Sequence, residues 1–201
     1  MIEHGSGEFV WFPEKGYGYI DADPTGVYGD SYIEKYRAYE ETEVGRRINE
    51  ARVKLVKKYT GVLRLVDVGV GSGAFMREIG CLGYDVNPAA VEKMKEAETW
   101  CDPTVDSVNA ATFWDSMEHM ENPRDILDNV EKWAFLSIPV FSGPSHVLRS
   151  KHLRRDEHYW YFTERGLGNY MRDAGFFLVE RSRMEERYGR EDIGTFVFLR
   201  N

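Results

Sequence analysis

The sequence predicts one doubly wound α/β domain, a mostly parallel sheet preceded by a helical and irregular N-terminal extension. Three observations predict it. Beyond Gly61, short apolar runs alternate with helical patterns, the succession that βαβ units leave in a chain. The strongest run, Val62 to Val70, is apolar on both faces, as a strand covered by helices on either side would be. A chain of 201 residues that is 42% hydrophobic and 30% charged can build one core and one surface, and no repeat or Pro/Ser-rich linker divides it. Residues 1–60 read as an arm and helices within the same domain, and residues 61–201 as the α/β domain proper.

The elements follow in order. Glycines 5, 7, 16, 18, 26 and 29 lie among Trp11, Phe12, Tyr17, Tyr19 and Tyr28 without a sustained period, so the first thirty residues read as an irregular arm, a flap. A helical pattern begins at Ser31, where Val44, Ile48, Ala51, Leu55, Val56 and Tyr59 recur at three- and four-residue steps until Gly61. After the Val62–Val70 strand come a short helix near Ala74–Ile79, a short strand at Cys81–Tyr84 and a helix opened by Pro88 that runs to about Ala97. Val108–Phe113 is the next strand. Asn122 and Pro123 start a helix as cap and first residue, and Trp133–Ile138 is a strand. Thr163 caps a helix that Gly175 ends, and Phe176–Glu180 and Thr195–Leu199 are antiparallel neighbours because the polar stretch between them is too short for a crossover. No third strand is legible between Ala97 and Ser107.

Charge and cysteine content exclude several functions. Lys and Arg number 26 against 34 Asp and Glu, a net charge of −8 that opposes general binding to phosphate backbones, so a nucleic-acid partner is not expected. The basic run Arg149–Arg155 is the exception, suited to an anionic group or to solvent. The N-terminus has no signal-peptide pattern and no stretch is long and apolar enough for a membrane span, which makes the cytoplasm the expected compartment. Cys81 and Cys101 have neither zinc-site spacing nor a disulfide framework, and no metal site is read from the sequence.

The chemistry concentrates where the best strand ends. Asp67-Val68-Gly69-Val70-Gly71-Ser72-Gly73 stands between that strand and a helix, where missing β-carbons let backbone amides approach a ligand. Asp85, at the end of the next strand, is placed to accept both hydroxyl protons of a ribose. Together they suit an adenosine-type cofactor at the carboxyl edge of the sheet. The glycines alone also fit a dinucleotide fingerprint, or a plain tight turn.

The succession Asp67–Gly73, then Gly83-Tyr84-Asp85-Val86-Asn87-Pro88, then Thr112-Phe113-Trp114-Asp115-Ser116-Met117-Glu118-His119, resembles the class I S-adenosylmethionine-dependent methyltransferases. His158-Tyr159-Trp160-Tyr161-Phe162-Thr163 and Ala174-Gly175-Phe176 resemble the late part of small-molecule members. The resemblance implies a seven-stranded, mostly parallel sheet with the last strand antiparallel. It implies S-adenosylmethionine as cofactor and methyl transfer to a small-molecule acceptor. It places Gly69, Gly71 and Gly73 in the cofactor loop, with Asp67 ordering that loop or meeting the amino group. Asp85 would hold the ribose, Val86 would lie against the adenine, and Trp114 and Asp115 would line the acceptor side. Methylation of nucleic acid or protein, and non-catalytic cofactor binding, remain alternatives.

Displacement at a sulfonium methyl needs alignment more than a protein nucleophile. A general base helps when the acceptor is a hydroxyl, and histidine is the usual one. His158, in an aromatic cluster, and His119, beside Glu118, are the candidates. The N-terminal aromatics, with Tyr32 and Tyr36, are candidates to close over a planar or cationic acceptor, and Trp100 to stack on the adenine.

Overall fold

The computed structural model describes residues 7–22, 37–61 and 64–201. Its elements are β1 (Phe9–Phe12), β2 (Tyr17–Ile20), α1 (Glu43–Tyr59), β3 (Leu65–Val68), α2 (Ala74–Ile79), β4 (Leu82–Tyr84), α3 (Pro88–Glu96), β5 (Val108–Trp114), α4 (Arg124–Leu127), β6 (Val130–Pro139), α5 (Pro144–Val147), β7 (Trp160–Phe162), α6 (Glu164–Asp173), β8 (Phe176–Ser182) and β9 (Ile193–Arg200). The main sheet has the order β4-β3-β5-β6-β9-β8. Strands β4, β3, β5 and β6 pair in parallel, and β9 inserts antiparallel between β6 and β8. This is the expected Rossmann-like arrangement, with six strands among the described residues. The place of a further outer strand is taken by Trp100, which forms an isolated parallel bridge with Gly83. One bridged residue leaves no period to read, which is why this part of the chain looks structureless in sequence.

Side chains on a strand alternate between faces, so a doubly covered sheet sorts neighbours into separate cores. Ala111 and Phe113 of β5, Leu136 and Ile138 of β6, and Phe196 and Phe198 of β9 join Leu167 and Met171 of α6 in one cluster. Ala110, Trp114, Phe135 and Val197 point the other way and pack with Val53 and Val56 of α1 and Phe75 of α2. Of the helical segment expected from Ser31, residues 31–36 lie outside the described residues, residues 37–40 are helical, and after a break at 41–42 the 17-residue helix α1 starts at Glu43, where the Thr42 hydroxyl accepts the amide of Gly45 at 3.0 Å. Helix α4 starts at Arg124, and the Asn122 side chain donates to the Asp125 carboxylate at 2.6 Å instead of capping. Among the described residues no helix is long and apolar enough to cross a membrane.

The arm is the main correction. Residues 9–20 form a hairpin, not an irregular flap, and β2 pairs antiparallel with β7 to make a second, three-stranded sheet. Two four-residue strands carry too little alternation to register in sequence, and their partner β7 lies far along the chain. Tyr17 packs edge-on against Trp160 and Tyr170, so it ties the hairpin to the main core beneath α6. Residues 28, 32 and 36 lie outside the described residues.

The hairpin turn is strapped to the start of α6. The Thr163 hydroxyl donates to the carbonyl of Gly16 at 2.8 Å and accepts the amide of Gly166 at 2.9 Å. A β-carbon on Gly166 would stand 1.9 Å from the Gly16 carbonyl oxygen, a backbone atom that cannot swing aside. Gly166→Ala is therefore expected to cost about 1–3 kcal/mol of stability by overpacking, read as a lowered midpoint in urea unfolding.

Candidate cofactor and active site

In this sheet the chain runs from β3 out to β4 and returns to place β5 on the other side of β3, so the strand order reverses beside β3. Crevices for ligands open at such switch points, beyond the carboxyl ends of the strands. A pocket of about 760 Å3 opens there. Its wall includes Asp67, Gly69, Gly71, Asp85, Val86, Trp114, Asp115 and His119 from the residues singled out in sequence. Gly73 and His158 are not among its lining residues. Gly73 instead forms the N-terminal cap of α2, and His158 is 4% exposed behind His119.

The loop after β3 is built on left-handed backbone, with φ of 78° at Gly69 and 55° at Gly71. Such angles strain residues that carry a β-carbon. At Gly69 a β-carbon would also meet that of Ser116 at 2.7 Å, whereas none of the protein lies within 4 Å of the β-carbon position of Gly71. That open side makes Gly71 the point of closest backbone approach for a ligand. The Gly69 amide donates to the carbonyl of Tyr84 at 2.8 Å, tying the loop to the end of β4.

Asp85 follows β4, and its carboxylate accepts the amide of Asn87 at 2.8 Å. Burial raises its pKa, and the amides of Asn87, Gly71, Val86 and Val70 oppose the rise. The influence of Gly71 and Val70 puts the carboxylate on the side of the glycine loop. A ribose diol donates two hydrogen bonds, and this is an acceptor placed to receive them.

Asp67 is 2% exposed and accepts the Thr112 hydroxyl at 2.7 Å. Burial lifts its pKa to about 7 against the opposing hydrogen bond and the charge of Arg52. Because the folded value lies above the unfolded one, the folded protein holds a proton between about pH 4 and 7 that the unfolded chain has released. Stability from this group falls as pH rises through that window. Asp67→Asn, which mimics the protonated acid, is expected to be more stable than wild type at about pH 8 and equal to it at about pH 4, as thermal melts would show. Glu40, also in the pocket wall, is lifted to about 7 by burial.

The floor is a half-buried charge cluster, of which the sequence analysis singled out only Asp115. Arg190 grips Asp115 through two nitrogens, each 2.8 Å from a carboxylate oxygen, and it also pairs with Glu185. Arg52 bridges the same two acids, at 2.9 Å to Asp115 and 2.8 Å to Glu185. The Ser137 hydroxyl donates to Glu185 at 2.5 Å. Burial alone would raise Asp115, but Arg190 and Arg52 outweigh it and hold the carboxyl well below the usual range. Arg52 also lies over the Trp114 ring, 4.9 Å from its centroid. The findable signal was Arg52, a charge at the fourth position after Ile48 on the apolar face of α1. Glu185 and Arg190 sit in the polar connection between β8 and β9, where nothing in the sequence distinguishes them.

Other sequence candidates lie elsewhere. Trp100 packs with Val70, Ala90 and Met94 and beneath Lys95, outside the pocket lining. Trp11, Phe12, Tyr17 and Tyr19 are likewise absent from it. Two charges of the basic run are paired within the chain, Lys151 with Glu191 at 3.1 Å and Arg154 with Glu157 at 2.7 Å, and Arg155 donates to the Gly7 carbonyl at 2.9 Å.

A family model described as a methyltransferase domain matches residues 36–181, most of the chain and the whole of this pocket's glycine loop, acid and β5 segment. The chain belongs to the methyltransferase domain family. It is an S-adenosylmethionine-dependent methyltransferase, with S-adenosylmethionine as the methyl donor. Solved structures share the methyltransferase fold. Magnesium protoporphyrin IX methyltransferase from Synechocystis PCC 6803, with S-adenosylhomocysteine bound, is 13% identical over 86% of this chain and 95% of its own, at a TM-score of 0.59. The 1,6-didemethyltoxoflavin-N1-methyltransferase of Burkholderia thailandensis, with 1,6-didemethyltoxoflavin and S-adenosylhomocysteine bound, is 15% identical over 85% and 84%, at 0.58. The [4+2]-cyclase SpnF is 13% identical over 80% and 83%, at 0.57. At these identities the likeness is one of fold. No curated protein matches the sequence. The methyltransferase pocket fits the donor on this structure's own terms: an unobstructed glycine flank at Gly71 faces a carboxylate at Asp85 that can take a diol.

Proposed function

We propose that the protein methylates a small-molecule acceptor within the pocket at the carboxyl edge of its sheet. The observation that carries this reading is the pocket's size: small-molecule sites run to about 300–1,000 Å3. At 760 Å3 it can take the donor and a compact acceptor side by side. Bound there, S-adenosylmethionine would supply a sulfonium methyl group as the electrophile.

The chain's own residues would do the rest. Gly69 and Gly71 allow the backbone close to the amino-acid end, Asp85 receives the ribose hydroxyls, and Val86, 69% exposed, offers an apolar surface to the base. The Arg52–Asp115–Arg190 cluster holds Trp114 and the floor rigid, which keeps the reacting atoms aligned. Alignment is where most of the rate must come from. His119 is the pocket histidine, but burial lowers its pKa to about 4. A base that weak, standing alone, takes little of a hydroxyl's proton at neutral pH. Methylation of nucleic acid is disfavoured by the net charge of −8 and by the pairing of Lys151 and Arg154 with Glu191 and Glu157 inside the basic run that would touch it.

Incubation with donor labelled on the methyl group and a small-molecule extract tests the reading. Label is expected in the low-molecular-weight fraction; label confined to protein or nucleic acid would overturn it.

A further inference from the structure

We propose that Glu118, His119 and His158 hold one divalent transition-metal ion in the wall of this pocket, with a coordination position open to an acceptor oxygen. One ligand atom from each side chain lies within 4.8 Å of the others. The first two come from the turn that follows β5 and the third from the residue two before β7. The Tyr159 amide fastens the two segments by donating to the Glu118 carbonyl at 2.8 Å. Bonds of about 2.1 Å in a tetrahedral site place ligand atoms roughly 3.4 Å apart, so rotations closing about 1 Å complete the set.

Independent of that spacing, Glu118 is 2% exposed and its Oε2 is buried with no hydrogen-bond partner. A buried acceptor left unmet costs about 1–3 kcal/mol, and more when charged. A cation between Glu118 and the two imidazoles removes the anomaly. The rings of His119 and His158 stand edge to face, 4.4 Å between centroids. The His119 ring also bonds the backbone of Glu157, the kind of outer contact that fixes the tautomer of a metal-bound imidazole. Two nitrogens and one carboxylate oxygen suit zinc, cobalt, manganese or iron better than magnesium or calcium.

Of the three ligands His119 lines the pocket, so an acceptor would reach the ion past that ring. An acceptor hydroxyl bound there would lose its proton to solvent more readily than in water. Its oxygen would then take the methyl carbon while the C–S bonding pair returns to sulfur. This last step rests on the methyl-transfer reading above, and it would supply the activation that a weakly basic His119 cannot.

The test strips the purified protein with a chelator and titrates it with Co2+, following visible ligand-field absorption and heat, with S-adenosylhomocysteine titrated separately. One Co2+ per chain is expected, with Glu118→Gln and His158→Ala binding at least about 100-fold more weakly. Undetectable Co2+ binding alongside normal S-adenosylhomocysteine binding overturns the site and leaves the donor reading standing; Co2+ binding without S-adenosylhomocysteine binding does the reverse. Equal affinity in the variants also overturns it. Should the variants not fold, anomalous scattering from zinc-soaked wild-type crystals decides, by a peak or its absence among the three side chains.

Discussion

Asp85→Ala is expected to weaken S-adenosylhomocysteine binding by about 3 kcal/mol, roughly 100-fold, the value of two hydrogen bonds to a charged acceptor. The carboxylate stands beyond β4 on the glycine-loop side, with the amides of Gly71 and Val70 acting on it. The two other acids singled out in the sequence are engaged elsewhere. Asp67 is occupied by Thr112, and Asp115 is consumed by two guanidiniums. Removing Asp85 leaves the Asn87 amide without its partner, a local loss that a melt without ligand would report separately. Asp85→Asn keeps one acceptor and the shape but not the charge, so its affinity should fall between the two. Calorimetric titration measures all three proteins, and an undiminished affinity in Asp85→Ala would remove the carboxylate from the donor site.

Arg190→Ala is expected to destabilise the protein by about 3–5 kcal/mol, the cost of leaving buried acids without a partner. Arg190 carries three of the contacts to Asp115 and Glu185, and Glu185 is 0% exposed. Arg52 cannot compensate two carboxylates alone. Asp115 adds a second sensitivity, because its backbone sits at a φ of 55°, where a residue with a β-carbon is held only by its surroundings. The pH dependence has a definite sign. In wild type the Asp115 carboxyl is depressed, so its contribution is present above the unfolded carboxylate pKa and fades as pH falls through the folded value. In the variant Arg52 alone opposes the effect of burial on Asp115, so that carboxyl gives up its charge more readily and the deficit should shrink as pH falls toward about 4. Urea unfolding at two pH values measures both effects. A deficit under about 1 kcal/mol at neutral pH would mean the cluster contributes no more than a surface ion pair. Glu185→Gln in the Arg190→Ala background should recover part of the loss, since it removes one of the stranded charges.

Where an element's reason is local, the sequence showed it. The run through β3 is apolar on both faces because both faces are covered, and the bounds of α2, α3 and α6 follow from Gly73, Gly80, Pro88 and Thr163. The glycine loop and Asp85 were legible because each terminates a strand, and strand termini on one edge of a parallel sheet converge whatever the details of packing. The N-terminal hairpin was not legible. Its strands are too short to show alternation and are stabilised by β7, an element remote in sequence.

The pocket itself divides the same way. Residues on the cofactor side were within reach of sequence, since the backbone conformation required there selects glycine and the acid follows at a fixed place. What lies beneath and behind was decided by tertiary structure alone. Arg52, Asp115 and the Glu185–Arg190 pair come from three separate stretches, and only the sheet's closure by β9 brings them into one cluster around the buried Glu185. Glu118, His119 and His158 meet because β7 turns back to the segment after β5. The spacing between those residues carries no periodicity of helix or strand, so no local rule could have joined them.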